Sequence, residues 1–169
     1  MNNNDRLARL RYALDIKNAD MVEVFRLGGA TVTTSDVKAM LQKVDKEDTD
    51  AFQENEYEMT CDNETFERFL NGLITSQRGP QKPKPGQTLS EPKMELNNGN
   101  ANNLLLKKVK IALSLTSDDI LDILDEAGVS ISNSELSAVL RKEGHRNYKP
   151  CGDRYARNFL KGLAFRYRP

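Results

Sequence analysis

The stretch "SDDILDILDEAGVSISNSELSAVLRK", residues 117–142, carries the signals of two short helices. Ile120, Leu121, Ile123 and Leu124 recur at helical spacing, and Thr116 followed by Asp119 suits a helix start. Gly128 then stops the first helix. Ser132 and Glu135 have capping-box spacing and open the second.

Outward from this stretch the chain repeats itself. Residues 12–43 lie over 111–142 without a gap, and eight of the 32 pairs are identical: Ala13/Ala112, Leu14/Leu113, Asp20/Asp119, Gly29/Gly128, Ser35/Ser134, Ala39/Ala138, Leu41/Leu140 and Lys43/Lys142. Met21/Ile120, Val24/Ile123, Val32/Ile131 and Val37/Leu136 keep the apolar pattern where identity is lost. After a nine-residue excess in the first copy the match resumes, pairing Cys61 with Cys151 and "FLNGL" (69–73) with "FLKGL" (159–163). This is a tandem duplication.

Each copy reads as four helices. The expected fold is therefore all-α, two homologous tandem copies packed as one pseudosymmetric helical unit: residues 1–79, with an acidic insertion at about 45–60, and residues 101–169. Residues 80–100 hold four of the six prolines among small polar residues and read as an exposed, partly extended linker. "ATVTT" and "VSISN" alternate only briefly and read as connectors. Glycine inside a helix costs about 1 kcal/mol relative to alanine. The recurrence of Gly72 and Gly162 inside the last helices therefore predicts close helix contact, placed here between the two copies.

Together "DDILDILDEAG", "SNSELSAVLRK", "HRNYKPCGD", "RNFLKGL" and the duplicated half resemble the YehS-like family of small bacterial proteins. The resemblance implies a duplicated, all-helical, cytoplasmic bacterial protein. The family's function is unassigned, so it offers no catalytic residues to carry over. The first copy reads "EYEMTCDNETFERFLNGL" where the second has its histidine and "NYK", so any role of His145, Tyr148 or Lys149 belongs to one half.

Composition narrows the chemistry. The chain has 169 residues, 38% hydrophobic and 30% charged, with a formal net charge of zero, so no global charge draws it to nucleic acid or membrane. The N-terminus lacks the apolar core of a signal peptide and no run spans a bilayer, which predicts a cytoplasmic protein without membrane association. Two cysteines do not make a disulfide scaffold. One histidine with two distant cysteines falls short of a zinc site, and neither standard phosphate-loop spacing is present, so no metal or cofactor is expected. His145, Cys151 and Asp153 are the parts of a nucleophile–base set, but Pro150 and Gly152 read equally well as a turn beside a buried thiol. No catalytic residue is assigned.

Charge distribution is more informative. Residues 1–79 hold ten Lys/Arg and fifteen Asp/Glu, a net −5, whereas residues 101–169 hold twelve and eight, a net +4. On the last helix Arg154, Arg157 and Lys161 share a face, while Tyr155, Phe159 and Leu163 line another. The candidate binding residues are these three cations with His145, Arg146, Tyr148 and Lys149. They point first to a non-enzymatic interaction or regulatory module with a protein partner or a second copy, and alternatively to salt-dependent nucleic-acid binding. The two helices of residues 117–142 resemble a helix-turn-helix only superficially, since the turn is long and Ser134, Ser137 and Arg141 offer few base-reading groups. A rival lies within the chain: Glu64 and Glu67 occupy the positions matching Arg154 and Arg157, and Asn71 matches Lys161, so the acidic helix is expected to face and neutralise the basic one.

Overall fold

The computed structural model describes residues 1–44, 54–79, 85–86 and 93–168. The expectations for most of the acidic insertion and most of the linker concern residues outside these. The described elements are α1 (Asn3–Leu14), α2 (Asn18–Leu27), α3 (Thr34–Leu41), α4 (Asn63–Arg78), α5 (Ala101–Ala112), α6 (Ser117–Glu126), α7 (Asn133–Leu140) and α8 (Asp153–Tyr167). Each copy contributes four, as its periodicity predicts. Among the described residues the only extended pairing is an isolated antiparallel bridge between Lys43 and Tyr57.

The helix starts follow local chemistry. Asn2/Asp5, Thr33/Asp36 and Thr116/Asp119 form reciprocal capping boxes, each satisfying two otherwise free backbone N–H groups. The box expected at Ser132/Glu135 is only half formed. Ser132 Oγ accepts the Glu135 N–H at 3.1 Å, but the Glu135 carboxylate accepts the Tyr155 hydroxyl at 3.1 Å instead of reaching back.

Within each copy the second helix crosses the last, α2 on α4 and α6 on α8. Phe25 and Phe69 meet across the first crossing with ring centroids 4.9 Å apart, both fully buried. Burying a side chain of this size stabilises the fold by about 1.5–3 kcal/mol. Glycine brings the backbones together: a Cβ on Gly72 would lie 1.8 Å from the Val24 carbonyl oxygen, and one on Gly162 2.2 Å from that of Ile123. The close contact expected of these glycines is present, but within each copy and not between them.

Between copies, the first helix of each lies on the last helix of the other, α1 on α8 and α5 on α4. The buried apolar residues of both halves form one continuous cluster. This arrangement overturns the expected mating of acidic and basic helices. Glu67 is fully buried, Glu64 pairs with Arg68 at 3.0 Å, and Arg154 and Arg157 are exposed. The reason is geometric: α4 and α8 each spend one face on their own copy's second helix and another on the opposite copy's first.

Paired asparagines tie each copy's connector to its first helix. Asn4 Nδ2 donates to the carbonyls of Met40 (2.9 Å) and Met59 (2.8 Å), and its Oδ1 accepts the Cys61 N–H at 3.0 Å. Asn103 repeats this on Val139 (2.9 Å), Lys149 (2.9 Å) and Cys151 (2.9 Å). Asn3 Nδ2 donates to the Cys61 carbonyl at 3.2 Å and to Asn63 at 2.8 Å; Asn102 does the same to Cys151 at 3.0 Å and Asp153 at 2.9 Å. Arg6 then joins the copies, donating from Nε to Asn102 Oδ1 at 2.7 Å and from Nη1 to Asn3 Oδ1 at 2.8 Å.

In an exposed helix, Gly→Ala would stabilise by about 1 kcal/mol. Gly72→Ala and Gly162→Ala should instead each destabilise by about 3 kcal/mol or more, because the new methyl meets backbone that cannot rotate away. Urea-unfolding midpoints measure this. An unchanged or higher midpoint would show that the helices are not held this close.

Candidate binding groove between α1 and α8

Asp5, Ala8, Arg9 and Tyr12 share one face of α1 by i, i+3, i+4, i+7 spacing, and Lys161, Ala164, Phe165 and Arg168 repeat that spacing at the end of α8. Packed side by side, the two faces line a groove of about 550 Å³, to which Lys43, Asn55 and Tyr57 of the α3–α4 connector also contribute. Its lining combines the small side chains of Ala8 and Ala164 with long cationic and aromatic ones.

The walls are cationic and aromatic. Tyr12 is 55% exposed and Phe165 51% exposed, and both line this one groove. Lys161 Nζ lies 5.7 Å from the Phe165 ring centre, and the Arg168 guanidinium lies 4.3 Å from that of Tyr12. Arg168 Nη1 is also anchored on the Tyr12 carbonyl at 3.2 Å and on Asp15 at 3.1 Å. Asp5, the carboxylate of the groove, is already engaged: it accepts the Tyr57 hydroxyl at 2.6 Å, Asn55 Nδ2 at 3.0 Å and the Asn2 N–H at 3.1 Å. Burial pushes the Asp5 carboxyl up, but these hydrogen bonds together outweigh it and hold the group below its ordinary range. Burial and the bond to Asp5 push the Tyr57 hydroxyl well up.

The predicted site residues separate. Arg154, Arg157 and Lys161 are exposed along α8, with no carboxylate within 4 Å among the described residues, and Lys161 enters the groove. Tyr155 is half-buried and Phe159 and Leu163 are fully buried, as their spacing predicts. His145, Arg146 and Lys149 are exposed on the α7–α8 connector, where His145 Nδ1 accepts the Asn147 N–H at 3.1 Å. Tyr148 lines a different cavity of about 290 Å³, its hydroxyl buried without a hydrogen-bond partner. Sequence reasoning missed Arg9, Tyr12, Lys43, Tyr57 and Arg168. The matched helical spacing of the two quartets was the available signal, but only the pairing of α1 with α8 makes it one site.

The cysteine set does not assemble. Cys151 is buried, its Sγ 3.7 Å from the Gly152 carbonyl, and burial pushes its thiol up to about 12, with Asp153 adding and Arg6 opposing. Burial likewise pushes Cys61 up to about 12, helped by Asp62. Asp153 accepts Asn102 and the Met1 amino group, the latter at 2.8 Å. His145 bonds neither cysteine nor aspartate.

Among the described residues no group of three or more His, Cys, Asp or Glu side chains could hold a metal ion, and no helix is long and apolar enough to cross a membrane. The family described as "Protein of unknown function (DUF1456)" matches residues 3–79 and 102–168, one stretch for each copy. The "Uncharacterized protein YehS" of Escherichia coli (strain K12) is 39% identical over 166 residues, which covers 98% of this chain and 96% of that protein. No solved structure matches.

Both thiols in the folded protein should react with iodoacetamide near pH 7.5 orders of magnitude more slowly than free cysteine, because so little thiolate exists there. Mass spectrometry against time checks this, and a free-cysteine rate at Cys151 would contradict its burial. The lowered Asp5 carboxyl gives a second expectation. A depressed folded value contributes stability above the unfolded carboxyl range and loses it as pH falls through the folded value. The urea midpoint should therefore drop below about pH 4, and less steeply in Asp5→Asn. Parallel drops in the two proteins would show that Asp5 contributes nothing to acid unfolding.

Proposed function

Because the chain belongs to the DUF1456 family, whose function is unassigned, we propose from its own geometry that it is a non-enzymatic interaction module. Its α1/α8 groove holds an anionic segment of a protein partner. The observation that carries this reading is the run of exposed cations from Arg154 through Arg157 to Lys161, continuous along α8 with a groove walled by Arg9, Lys43, Arg168, Tyr12 and Phe165. Arg154, Arg157 and Lys161, without a carboxylate partner among the described residues, next to exposed aromatic faces make the pairing that recurs at recognition surfaces.

Nucleic acid is the second reading. Aromatic platforms flanked by cations suit stacked bases of a single strand, and the acidic half no longer stands across from α8 to neutralise it. Against it, Lys161 and Arg168 already cover faces of Phe165 and Tyr12, and the net charge is zero.

Fluorescence anisotropy of a labelled Glu/Asp-rich peptide and of labelled single-stranded DNA and RNA, at low and moderate salt, separates the readings. The expected result is peptide binding that weakens with salt and at least tenfold in an Arg157→Glu/Lys161→Glu variant with an unchanged urea midpoint. Tighter binding of nucleic acid than of peptide would install the second reading. Binding of none of the probes would overturn both.

A further inference from the structure

The duplication supplies a template for what occupies the groove. Under the correspondence of the copies, α1 matches α5 and α8 matches α4, so the α1/α8 face has a pseudosymmetric twin, the α5/α4 face. The match extends to side-chain detail. Arg78 Nη1 donates to Ser114 Oγ at 2.9 Å and to the Ile111 carbonyl at 3.4 Å, as Arg168 does to Asp15 and the Tyr12 carbonyl.

The twin face is covered at its Glu67 end, while Ile111, the counterpart of Tyr12, stays 41% exposed. Residues 93–97 have no regular secondary structure and lie against α4 and α5 as a strap, with Leu96 8% exposed. Glu67 Oε1 accepts the N–H groups of both Glu95 and Leu96 at 2.7 Å. Lys108 completes the seat, 3.5 Å from Glu67 Oε2 and 2.5 Å from Asn71 Oδ1. A carboxylate buried with a cation and two backbone donors is the chemistry of a seat built for a main chain.

On the open face the same three positions are Arg157, Arg9 and Lys161. The acceptor has become a donor, and every polar group of the seat is now cationic. Arg157 is exposed where its counterpart Glu67 is fully buried.

We infer that the α1/α8 groove takes an extended acidic peptide segment of a partner protein, seated across the two helices as residues 93–97 are seated on α4 and α5. This rests on the interaction reading above and adds the class and conformation of the partner. The occupant presents carboxylates and main-chain carbonyls to Arg157, Lys161 and Arg9, the reverse of the two N–H groups that the strap presents to Glu67. One apolar side chain among the acidic ones takes the part that Leu96, 8% exposed, plays in the strap.

The test uses the full chain, labelled with 15N, and a capped eight-residue peptide of Glu, Asp and one Leu. Amide shifts should move along α1 and the C-terminal half of α8, and the bound peptide should show the large HN–Hα couplings of extended backbone. Lys161→Glu should raise Kd at least tenfold, whereas Lys38→Glu, at an exposed position of α3, should leave it within twofold. A peptide that binds as a helix, or shifts confined to residues 145–149, would overturn the extended seat and leave the interaction reading standing. Absence of peptide binding, with single-stranded DNA or RNA bound instead, would overturn the acidic-peptide assignment. Absence of any binding would remove the interaction reading with it.

Discussion

The Arg6 guanidinium, hydrogen-bonded at once to Asn3 of its own copy and Asn102 of the other, is the contact on which the pseudosymmetric arrangement turns. Each of those asparagines is one of a buried pair that holds the connector before the last helix against the first. A buried amide or carbonyl left without a partner costs about 1–3 kcal/mol, and these pairs satisfy several such groups in each copy. Arg6 makes the two local clamps one structure. Burial disfavours its charge while Asp153 and Asp5 favour it, but a guanidinium stays protonated in any protein environment. Its copy-two counterpart is Leu105, fully buried in the apolar cluster, so the joint is made from one side only.

That asymmetry is one instance of a general division between the halves. The residues that make the helices cross, the glycines and the buried phenylalanines and leucines, repeat or are replaced by residues of the same character. The residues at the outer edge of the crossed pairs do not. Glu67, Lys108 and Asn71 form a seat for the chain's own residues 93–97; Arg157, Arg9 and Lys161 stand at the matching places and face solvent or the open groove. Duplication conserved a scaffold with two equivalent faces and let their electrostatics diverge. One face is satisfied internally, and the proposed role belongs to the other.

The stretch with the chain's single histidine illustrates why residue types alone mislead. His145, Cys151 and Asp153 are close in sequence, but the turn that ends in Asp153 sends the thiol into the core beneath Asn103 while the imidazole stays outside against Asn147. The thiol's burial raises its pKa and the aspartate is spent on Asn102 and the Met1 amino group. Each of the three has a structural partner of its own.

Much of the fold was legible in the residues. Apolar periodicity placed four helices in each copy, side-chain caps marked the starts of α6 and α7, and the recurrence of Gly72 as Gly162 announced a close crossing, because these signals act over a single turn or a fixed offset along the chain. The Asn3–Asn4 pair recurs as Asn102–Asn103 and was equally available, although polar residues at a helix start read first as caps. Only tertiary structure decided that α1 lies on α8 and α5 on α4, that the glycine contacts stay within each copy, and that Glu67 turns inward while Arg157 stays out. Those outcomes depend on which apolar faces meet at long range. Helical spacing says that a face exists but carries no information about which other face will cover it.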